Sequence, residues 1–225
     1  NHRYPESEGL PELRMTIAEW YEGRFGVTLD PNKEVLPLIG AKEGIGHAAL
    51  CFIDPGDVAL VPDPGYPVYS IGTMFAGGEC HWMPLEEENQ WLPNLKAIPP
   101  EVADKAKAMW INYPNNPTGA TVSLAARERV IDLAEEMDIA VIEDAAYQSL
   151  RFDGDAIPPI LALEAERKRV PRLNWRRLAL RGKIPRGFRV EGAWLVVDKS
   201  DVFVQDPVNL IRLFHLAPQL GLDIH

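Results

Sequence analysis

Five side chains that could contact a small charged molecule follow apolar runs along the chain. They are Lys42, Tyr66, Asn116, Asp144 and Tyr147. A lysine can neutralise a phosphate, an aromatic ring can stack on a flat ligand, and an amide can donate to a phenolate oxygen. A carboxylate in an apolar context is costly unless a cation pairs with it. Together these groups could hold one phosphorylated ring that carries a positive charge.

The segment "GAKEG" at 40–44 follows a short apolar run and opens a helical pattern. Backbone N–H groups and the dipole at a helix N-terminus attract anions, so this segment could cradle a phosphate with Lys42 adding charge. The alternative is a helix-capping turn with an exposed lysine.

The other candidate side chains also have structural alternatives. Tyr66 could fold onto the core instead of stacking on a ligand, and Asn115 and Asn116 could form an Asx-turn with their own backbone. Asp144 could cap a helix. In an open parallel sheet, however, ligands bind at the carboxyl ends of the strands, where all of these residues fall.

The elements that must position these residues alternate between helices and strands. Helical spacing predicts helices over 11–25, 43–53, 68–77 and 123–137. Apolar runs predict strands over 34–40, 57–62, 79–85, 108–114 and 139–145. Several strands are continuously apolar, which is typical of a parallel sheet covered on both faces. We therefore expect an α/β fold, a three-layer sandwich with a mainly parallel sheet.

The candidate groups taken together describe a site for pyridoxal 5'-phosphate. They supply a phosphate cradle, a stacking ring, a donor to a phenolate oxygen and an acid for a ring nitrogen. Such an acid keeps the pyridine nitrogen protonated, so the ring can accept electrons from a substrate carbanion. Asp144 is the acid in this interpretation.

The segments "YPESEGLPELR", "LPLIGAKEGI", "PDPGYPVY", "INYPNNPTGA" and "IEDAAY" resemble, in order and spacing, the class I/II aminotransferases of fold type I. The similarity covers about residues 3–163 and is strongest to the LL-diaminopimelate aminotransferase group. It implies an enzyme that transfers an amino group between an amino acid and a 2-oxo acid. It also implies a homodimer in the cytoplasm, and a phosphate site lined by Ala41 and Lys42.

The same resemblance implies roles for the remaining candidates. Tyr66 would stack on the cofactor ring, and Asp144 would pair with the pyridine nitrogen. Asn116 and Tyr147 would bond the phenolic oxygen of the ring. Asn115 would shape the turn that holds its neighbour.

The resemblance does not include the catalytic lysine of the family. That lysine forms a Schiff base and shuttles the proton, and it lies in a Ser-x-Ser-Lys motif roughly thirty-odd residues after the acid. The sequence has no such motif; Arg181 stands in its place, and an arginine stays protonated. The later lysines Lys168, Lys183 and Lys199 lack the motif around them. We therefore expect a truncated large domain with no identified catalytic residue or, alternatively, a fragment that binds the cofactor weakly without turnover.

Composition bears on whether the protein binds nucleic acid, holds a metal or spans a membrane. The chain has 225 residues, a net charge of -10 and a pI of about 5.0, which argues against general nucleic-acid binding and suits a soluble cytosolic protein. Cys51 and Cys80 have no metal-ligand or CxxC spacing, so we expect reduced core thiols. No apolar run approaches membrane-spanning length. Because the first residue is Asn1 rather than methionine, we expect the chain to begin inside a longer product.

Residues 164–225 are expected to form a basic appendage to the 1–163 domain. Positions 167–189 carry ten Lys or Arg and no Asp or Glu. The pattern beyond them predicts a hairpin over 188–197, turning at Glu191 and Gly192, and a helix over 206–221. Because the sheet is truncated, we expect the strand at 139–145 to present an unpaired edge, and therefore poor solubility or association of the protein.

The segment from 186 to 225 is similar to part of the bifunctional uridylyltransferase and uridylyl-removing enzyme that modifies the PII signal protein. The catalytic signatures of that family are absent from the sequence. The alternative is a generic hairpin and helix, with the basic stretch as a solvated linker rather than a nucleic-acid contact. A join between two gene fragments would explain both halves of the chain.

Overall fold

The computed structural model of the chain describes residues 4, 6–150, 152, 158–167, 194–198 and 202–204. The predicted helix over 206–221 lies outside the described residues, as does the basic stretch beyond residue 167. No helix among the described residues is long and apolar enough to cross a membrane.

A seven-stranded sheet forms the centre of the described structure. Its strands are β1 (Val35–Pro37), β2 (Val58–Asp63), β3 (Glu79–Pro84), β4 (Ala106–Asn112), β5 (Ala140–Asp144), β6 (Trp194–Asp198) and β7 (Val202–Val204). Their spatial order is β1-β7-β6-β5-β4-β2-β3. The five strands from β6 to β3 in this order are parallel, and β7 is antiparallel to both of its neighbours. The predicted mainly parallel sheet is confirmed.

The described residues also form six α-helices. They are α1 (Pro11–Phe25), α2 (Ala41–Phe52), α3 (Val68–Phe75), α4 (Pro100–Ala103), α5 (Leu124–Met137) and α6 (Ile160–Arg167). Helix α1 ends where predicted, because Gly26 adopts φ 69° and its N–H bonds the carbonyl of Glu22. Helix α5 begins after Ser123, whose hydroxyl accepts a hydrogen bond from the Ala126 N–H at 3.2 Å.

Successive residues of the central strands face two different helical layers. Leu60, Met109 and Val141 pack with α5 and α6 on one face of the sheet. Their neighbours Trp110 and Ile142 pack with α2 and α3 on the other face. Because both faces of the central strands are covered, their interior positions are largely apolar, and the polar residues of β5 fall at its carboxyl end. The structure is thus the expected three-layer sandwich.

The predicted unpaired edge at β5 is wrong. Strand β6 pairs with β5 in parallel, from Val141 opposite Trp194 to Asp144 opposite Val197. The physical reason is that an unpaired strand edge leaves backbone N–H and C=O groups without partners, and β6 supplies those partners for β5. The first strand and the turn of the hairpin predicted over 188–197 lie outside the described residues; its last residues belong to β6, which pairs antiparallel with β7 across three intervening residues.

Candidate functional site

The carboxyl ends of β4 and β5 lie side by side, with Asn112 directly opposite Asp144 in the sheet. The Asn112 side chain donates from Nδ2 to the Asp144 carbonyl oxygen at 2.8 Å. Its Oδ1 accepts a hydrogen bond from the Asn116 N–H, also at 2.8 Å. One buried amide therefore ties the predicted acid to the predicted amide, and the structure brings these two residues together.

Asp144 is a buried carboxylate with 5% of its surface exposed. Its Oδ2 accepts a hydrogen bond from the Tyr69 hydroxyl at 2.7 Å, and its Oδ1 accepts from the Ala146 N–H at 3.2 Å. Hydrogen bonds to a charged acceptor are among the stronger ones in proteins, so they compensate part of the cost of burial. The group is fixed at the end of β5 on the face covered by α2 and α3, because side chains alternate along a strand.

Tyr69 forms the centre of an aromatic cluster beside this acid. Its ring stacks on Trp110 with centroids 4.7 Å apart and meets the Tyr66 ring edge-on at 5.9 Å. Burial is the main cause that raises the pKa of Tyr69 above its ordinary value, followed by the nearby Asp144 carboxylate. The phenols of Tyr147 and Tyr66 act on that pKa in the same direction. Three of the predicted site residues thus surround Tyr69, which stays protonated.

The loop after β4 is closed by hydrogen bonds of Asn115. Its Oδ1 accepts from both the N–H and the hydroxyl of Thr118, at 3.2 and 2.8 Å. Its backbone N–H donates to the Ala120 carbonyl, and its carbonyl accepts from the Gly119 N–H. Asn115 therefore shapes the turn, while Asn116 stays half-buried beside it. The Nδ2 of Asn115 is buried and has no hydrogen-bond partner within the described part of the chain.

The start of α2 is the predicted phosphate segment. Gly40 precedes the helix with φ 125°, a conformation that favours glycine, and the Glu43 carboxylate accepts from the Ile39 N–H at 2.8 Å. The first N–H groups of any helix lack intrahelical acceptors, so the amides of Ala41 and Lys42 begin a suitable anion site.

The two residues of that segment differ in their surroundings. Ala41 packs against the apolar cluster that contains Tyr66 and Tyr69. The Lys42 side chain is exposed, and among the described residues no hydrogen bond or ion pair joins it to Asp144. The structure therefore brings the backbone of the segment near the aromatic cluster, but it does not bring the lysine side chain to the acid.

A buried ion pair lies on the opposite face of the sheet. Arg127 of α5 donates from Nη1 to the Glu143 carboxylate and from Nη2 to the Tyr113 carbonyl at 3.3 Å. The other Glu143 oxygen accepts from the Ile160 N–H at 2.9 Å. Glu143 immediately precedes Asp144, and Tyr113 immediately follows β4. The ion pair therefore holds the ends of β4 and β5 together from the sheet face that α5 covers.

Sequence reasoning missed Asn112, Tyr69 and the Arg127–Glu143 pair. A signal existed for the first two. Tyr69 is an aromatic residue in the first turn of the helix predicted over 68–77, only three residues after Tyr66 in "PDPGYPVY". Asn112 is the last residue of an apolar strand, where a polar side chain marks the carboxyl end.

The two cysteines are free thiols, as expected, although they are half-buried rather than in the core. Burial raises the pKa of Cys51 to about 12 and also raises the pKa of Cys80. Within the described ranges, no group of three or more His, Cys, Asp or Glu could hold a metal ion. Arg181 and the lysines at 168, 183 and 199 lie outside those ranges.

The donor set at these strand ends fits pyridoxal phosphate. A buried carboxylate with fixed orientation suits a ring nitrogen that carries a proton. A half-buried aromatic ring at Tyr66 suits stacking, and an uncapped helix start suits a phosphate. The ring nitrogen, the ring face and the phosphate of that cofactor therefore each have a complementary group in this part of the chain.

Comparison with known proteins gives a consistent result. Residues 1–172 match the family model described as aminotransferase class I and II. The chain is 58% identical over 166 residues to an LL-diaminopimelate aminotransferase of Dehalococcoides mccartyi, covering 74% of this chain and 42% of that protein. It is 55% identical over 161 residues to the protein of the same name from Moorella thermoacetica, covering 72% and 41%. The solved structure of apo-BacF from Bacillus subtilis superposes with a TM-score of 0.76 at 32% identity, over 97% of this chain and 52% of that one.

Proposed function

Because the chain belongs to the class I and II aminotransferases, we propose that it carries the cofactor-binding strand ends of an enzyme that transfers an amino group between an amino acid and a 2-oxo acid. Members of this family use pyridoxal phosphate. The chain spans about two fifths of the length of the curated relatives it matches, 42% in the first of them. The proposal therefore concerns the activity of the longer protein to which these residues correspond.

One observation carries the proposal. The Asn112 side chain bonds the Asp144 carbonyl and the Asn116 N–H at once, so the acid and the amide are held at adjacent strand ends. This places a carboxylate and an amide on the same edge of the sheet. Parallel α/β sheets bind their ligands at that edge.

The residues at β4 and β5 bind and orient the cofactor ring in this proposal. Bound pyridoxal phosphate supplies a pyridinium ring that accepts electrons from the substrate. Asp144 holds a proton at the ring nitrogen, and Asn116 and Tyr147 donate to the phenolic oxygen. Tyr66 covers one face of the ring and excludes water from it.

The start of α2 binds the phosphate of the cofactor. The amides of Ala41 and Lys42 donate to phosphate oxygens, and the helix dipole favours the negative charge. The exposed Lys42 side chain contributes charge at the rim of this site.

A second candidate function is binding without turnover. It is favoured by the sequence itself, because no Ser-x-Ser-Lys motif occurs in the 225 residues. That motif carries the lysine that moves the proton between substrate and ring in this family, and Arg181 stands at its place in the sequence. In this case the cofactor binds reversibly through noncovalent contacts alone.

We also propose an oligomeric state, a cellular location and substrates for the protein from the family resemblance. The enzyme acts as a homodimer in the cytoplasm, with small-molecule amino acid and 2-oxo acid substrates. The relatives named LL-diaminopimelate aminotransferase make that amino acid the first donor to test. The division into a domain over 1–163 and a tail over 164–225, and the similarity of the tail to the PII-modifying enzyme, remain predictions.

A titration of the full chain with pyridoxal phosphate tests the binding proposal. The quenching of tryptophan fluorescence reports the dissociation constant. We expect saturable binding that weakens at least about tenfold in Asp144→Ala, because the ring nitrogen loses its charged partner. Asp104→Ala, which removes an exposed carboxylate at the end of α4, is the matched control and should bind as the parent does. Equal affinity of the Asp144→Ala variant would refute the assignment.

Borohydride reduction followed by mass spectrometry distinguishes the two candidate functions. A reduced adduct on a lysine, with turnover of LL-diaminopimelate and 2-oxoglutarate, supports the aminotransferase activity. Recovery of the cofactor by dialysis after borohydride treatment, with no turnover, supports binding alone.

A further inference from the structure

We propose that Tyr69 is a positioning residue for the cofactor. Its hydroxyl fixes the Asp144 carboxylate in the orientation and the ionised form that hold a proton on the pyridine nitrogen. The inference rests on the proposed function, because it gives Tyr69 its role through the acid of that site. Tyr69 itself need not touch the ring.

The bond joins two elements that are far apart in the sequence. The Tyr69 hydroxyl on α3 reaches the Asp144 Oδ2 at the end of β5, 75 positions later, at 2.7 Å. The ring of Tyr69 has no exposed surface. It lies nearly parallel to the Trp110 ring, at 15° between the two planes. The hydroxyl therefore has a single position relative to the sheet.

The helix that carries Tyr69 is itself fixed by a close approach. A Cβ added at Gly72 would lie 3.1 Å from the Gly46 carbonyl oxygen, so α3 packs against α2 with almost no space between the backbones. The Thr73 hydroxyl donates to the Tyr69 carbonyl at 2.8 Å. Because α3 is held in place, the Tyr69 hydroxyl is held in place as well. A side chain that orients a binding group must itself be fixed in this way.

The direction of the hydrogen bond determines its effect on charge. Burial and the neighbouring carboxylate raise the pKa of Tyr69, so its phenol stays protonated and donates. An ionised carboxylate only accepts hydrogen bonds, whereas a protonated one uses an oxygen as a donor. Donation by Tyr69 therefore favours the ionised form of Asp144, and the Ala146 N–H on Oδ1 acts in the same sense.

A purely structural role makes a different prediction. If Tyr69 only filled the core, its ring would matter and its hydroxyl would not. Tyr69→Phe keeps the ring on Trp110 and removes only the donor to Asp144. The variant therefore separates packing from positioning.

The experiment uses the full chain with pyridoxal phosphate labelled with 15N at the ring nitrogen. The 15N chemical shift reports whether that nitrogen carries a proton. We expect a protonated nitrogen in the parent, a shift toward the unprotonated value in Tyr69→Phe, and a dissociation constant raised by about tenfold. Tyr113→Phe is the matched control, because it also removes a phenol hydroxyl that is bonded at 2.8 Å, to the Trp91 carbonyl. The control should leave both readouts unchanged.

Each outcome separates the inference from the proposed function. If the parent binds, Asp144→Ala does not, and Tyr69→Phe keeps the parent shift and affinity, the inference is overturned while the proposed function stands. If the parent itself does not bind the cofactor, both are overturned.

A second measurement covers the case in which near-ultraviolet circular dichroism shows that Tyr69→Phe is unfolded. The Tyr69 hydroxyl proton is then observed in the parent by NMR. A change in its chemical shift on addition of cofactor supports the positioning role. A saturated complex with an unchanged shift overturns it.

Discussion

Replacement of Arg127 by methionine should destabilise the chain severely, because it leaves a carboxylate buried without its charged partner. The side chains of Arg127 and Glu143 are only 5% and 2% exposed. Solvent therefore cannot compensate when one partner is removed. Breaking a buried pair in this way costs about 3–5 kcal/mol, which is a large part of the roughly 5–15 kcal/mol by which domains are stable.

Two further contacts in the structure change the expected loss of unfolding free energy in Arg127→Met. Arg127→Met also removes the donor to the Tyr113 carbonyl, worth about 1 kcal/mol. The Ile160 N–H remains bonded to Glu143 and retains part of the compensation for that carboxylate. These two effects have opposite signs, so the expected loss of unfolding free energy remains about 3–5 kcal/mol. With a urea m-value of roughly 2 kcal/mol/M, the unfolding midpoint should fall by about 1.5–2.5 M.

The assay is urea unfolding of the full chain followed by both fluorescence and circular dichroism, so that coincident transitions establish two-state behaviour. Arg129→Met is the matched control on the same helix. Arg129 lies 3.6 Å from Glu136, and their side chains are 44% and 61% exposed, so its removal should cost less than about 1 kcal/mol. If the midpoint falls no further in Arg127→Met than in the control, the buried pair does not support the strand ends and the reasoning fails.

Two further substitutions test the local geometry of the site. Asn112→Ala removes two buried hydrogen bonds to the backbone, so we expect a loss of about 2–3 kcal/mol in unfolding free energy and weaker cofactor binding; parent-like affinity would count against the bridge between the strand ends. Gly65→Ala would place a Cβ 2.4 Å from the Pro62 carbonyl oxygen, so the turn must shift; we expect about 1–3 kcal/mol of destabilisation by thermal unfolding, whereas Gly23→Ala, with open space around it on α1, should be neutral or stabilising. Equal melting temperatures for the two glycine variants would contradict the close approach at Gly65.

The central strands, and the edge of the sheet at which their carboxyl ends meet, could be predicted from the sequence. Strands that are buried on both faces are nearly continuously apolar, so runs such as residues 108–111 of β4 stand out from the alternating pattern of a half-buried strand. The side chains that end those runs must then lie together, because parallel strands place their carboxyl ends on one edge. The proximity of Asn116 and Asp144 follows from this rule alone.

The pairing of β6 and the role of Tyr69 were not accessible in the same way. The order of strands in a sheet depends on long-range pairing, and the run of β6 was compatible with a local hairpin until its neighbours were known. The bond from Tyr69 to Asp144 joins residues 75 positions apart on different element types. Local patterns specify which face a residue occupies, but they do not specify which side chain lies opposite it across a layer.

Binding and turnover are separable in this chain for a physical reason. In the proposed function, the groups at the ends of β4 and β5 would contact the cofactor ring before and during the reaction, so most of their interaction energy would lower the free energy of both states. Acceleration requires a group whose contribution grows in the transition state, and in this family that group is the lysine that moves the proton. The sequence carries Asp144 and Asn116 but no Ser-x-Ser-Lys motif. Affinity for the cofactor and membership of the family are therefore compatible with little or no catalysis by these 225 residues.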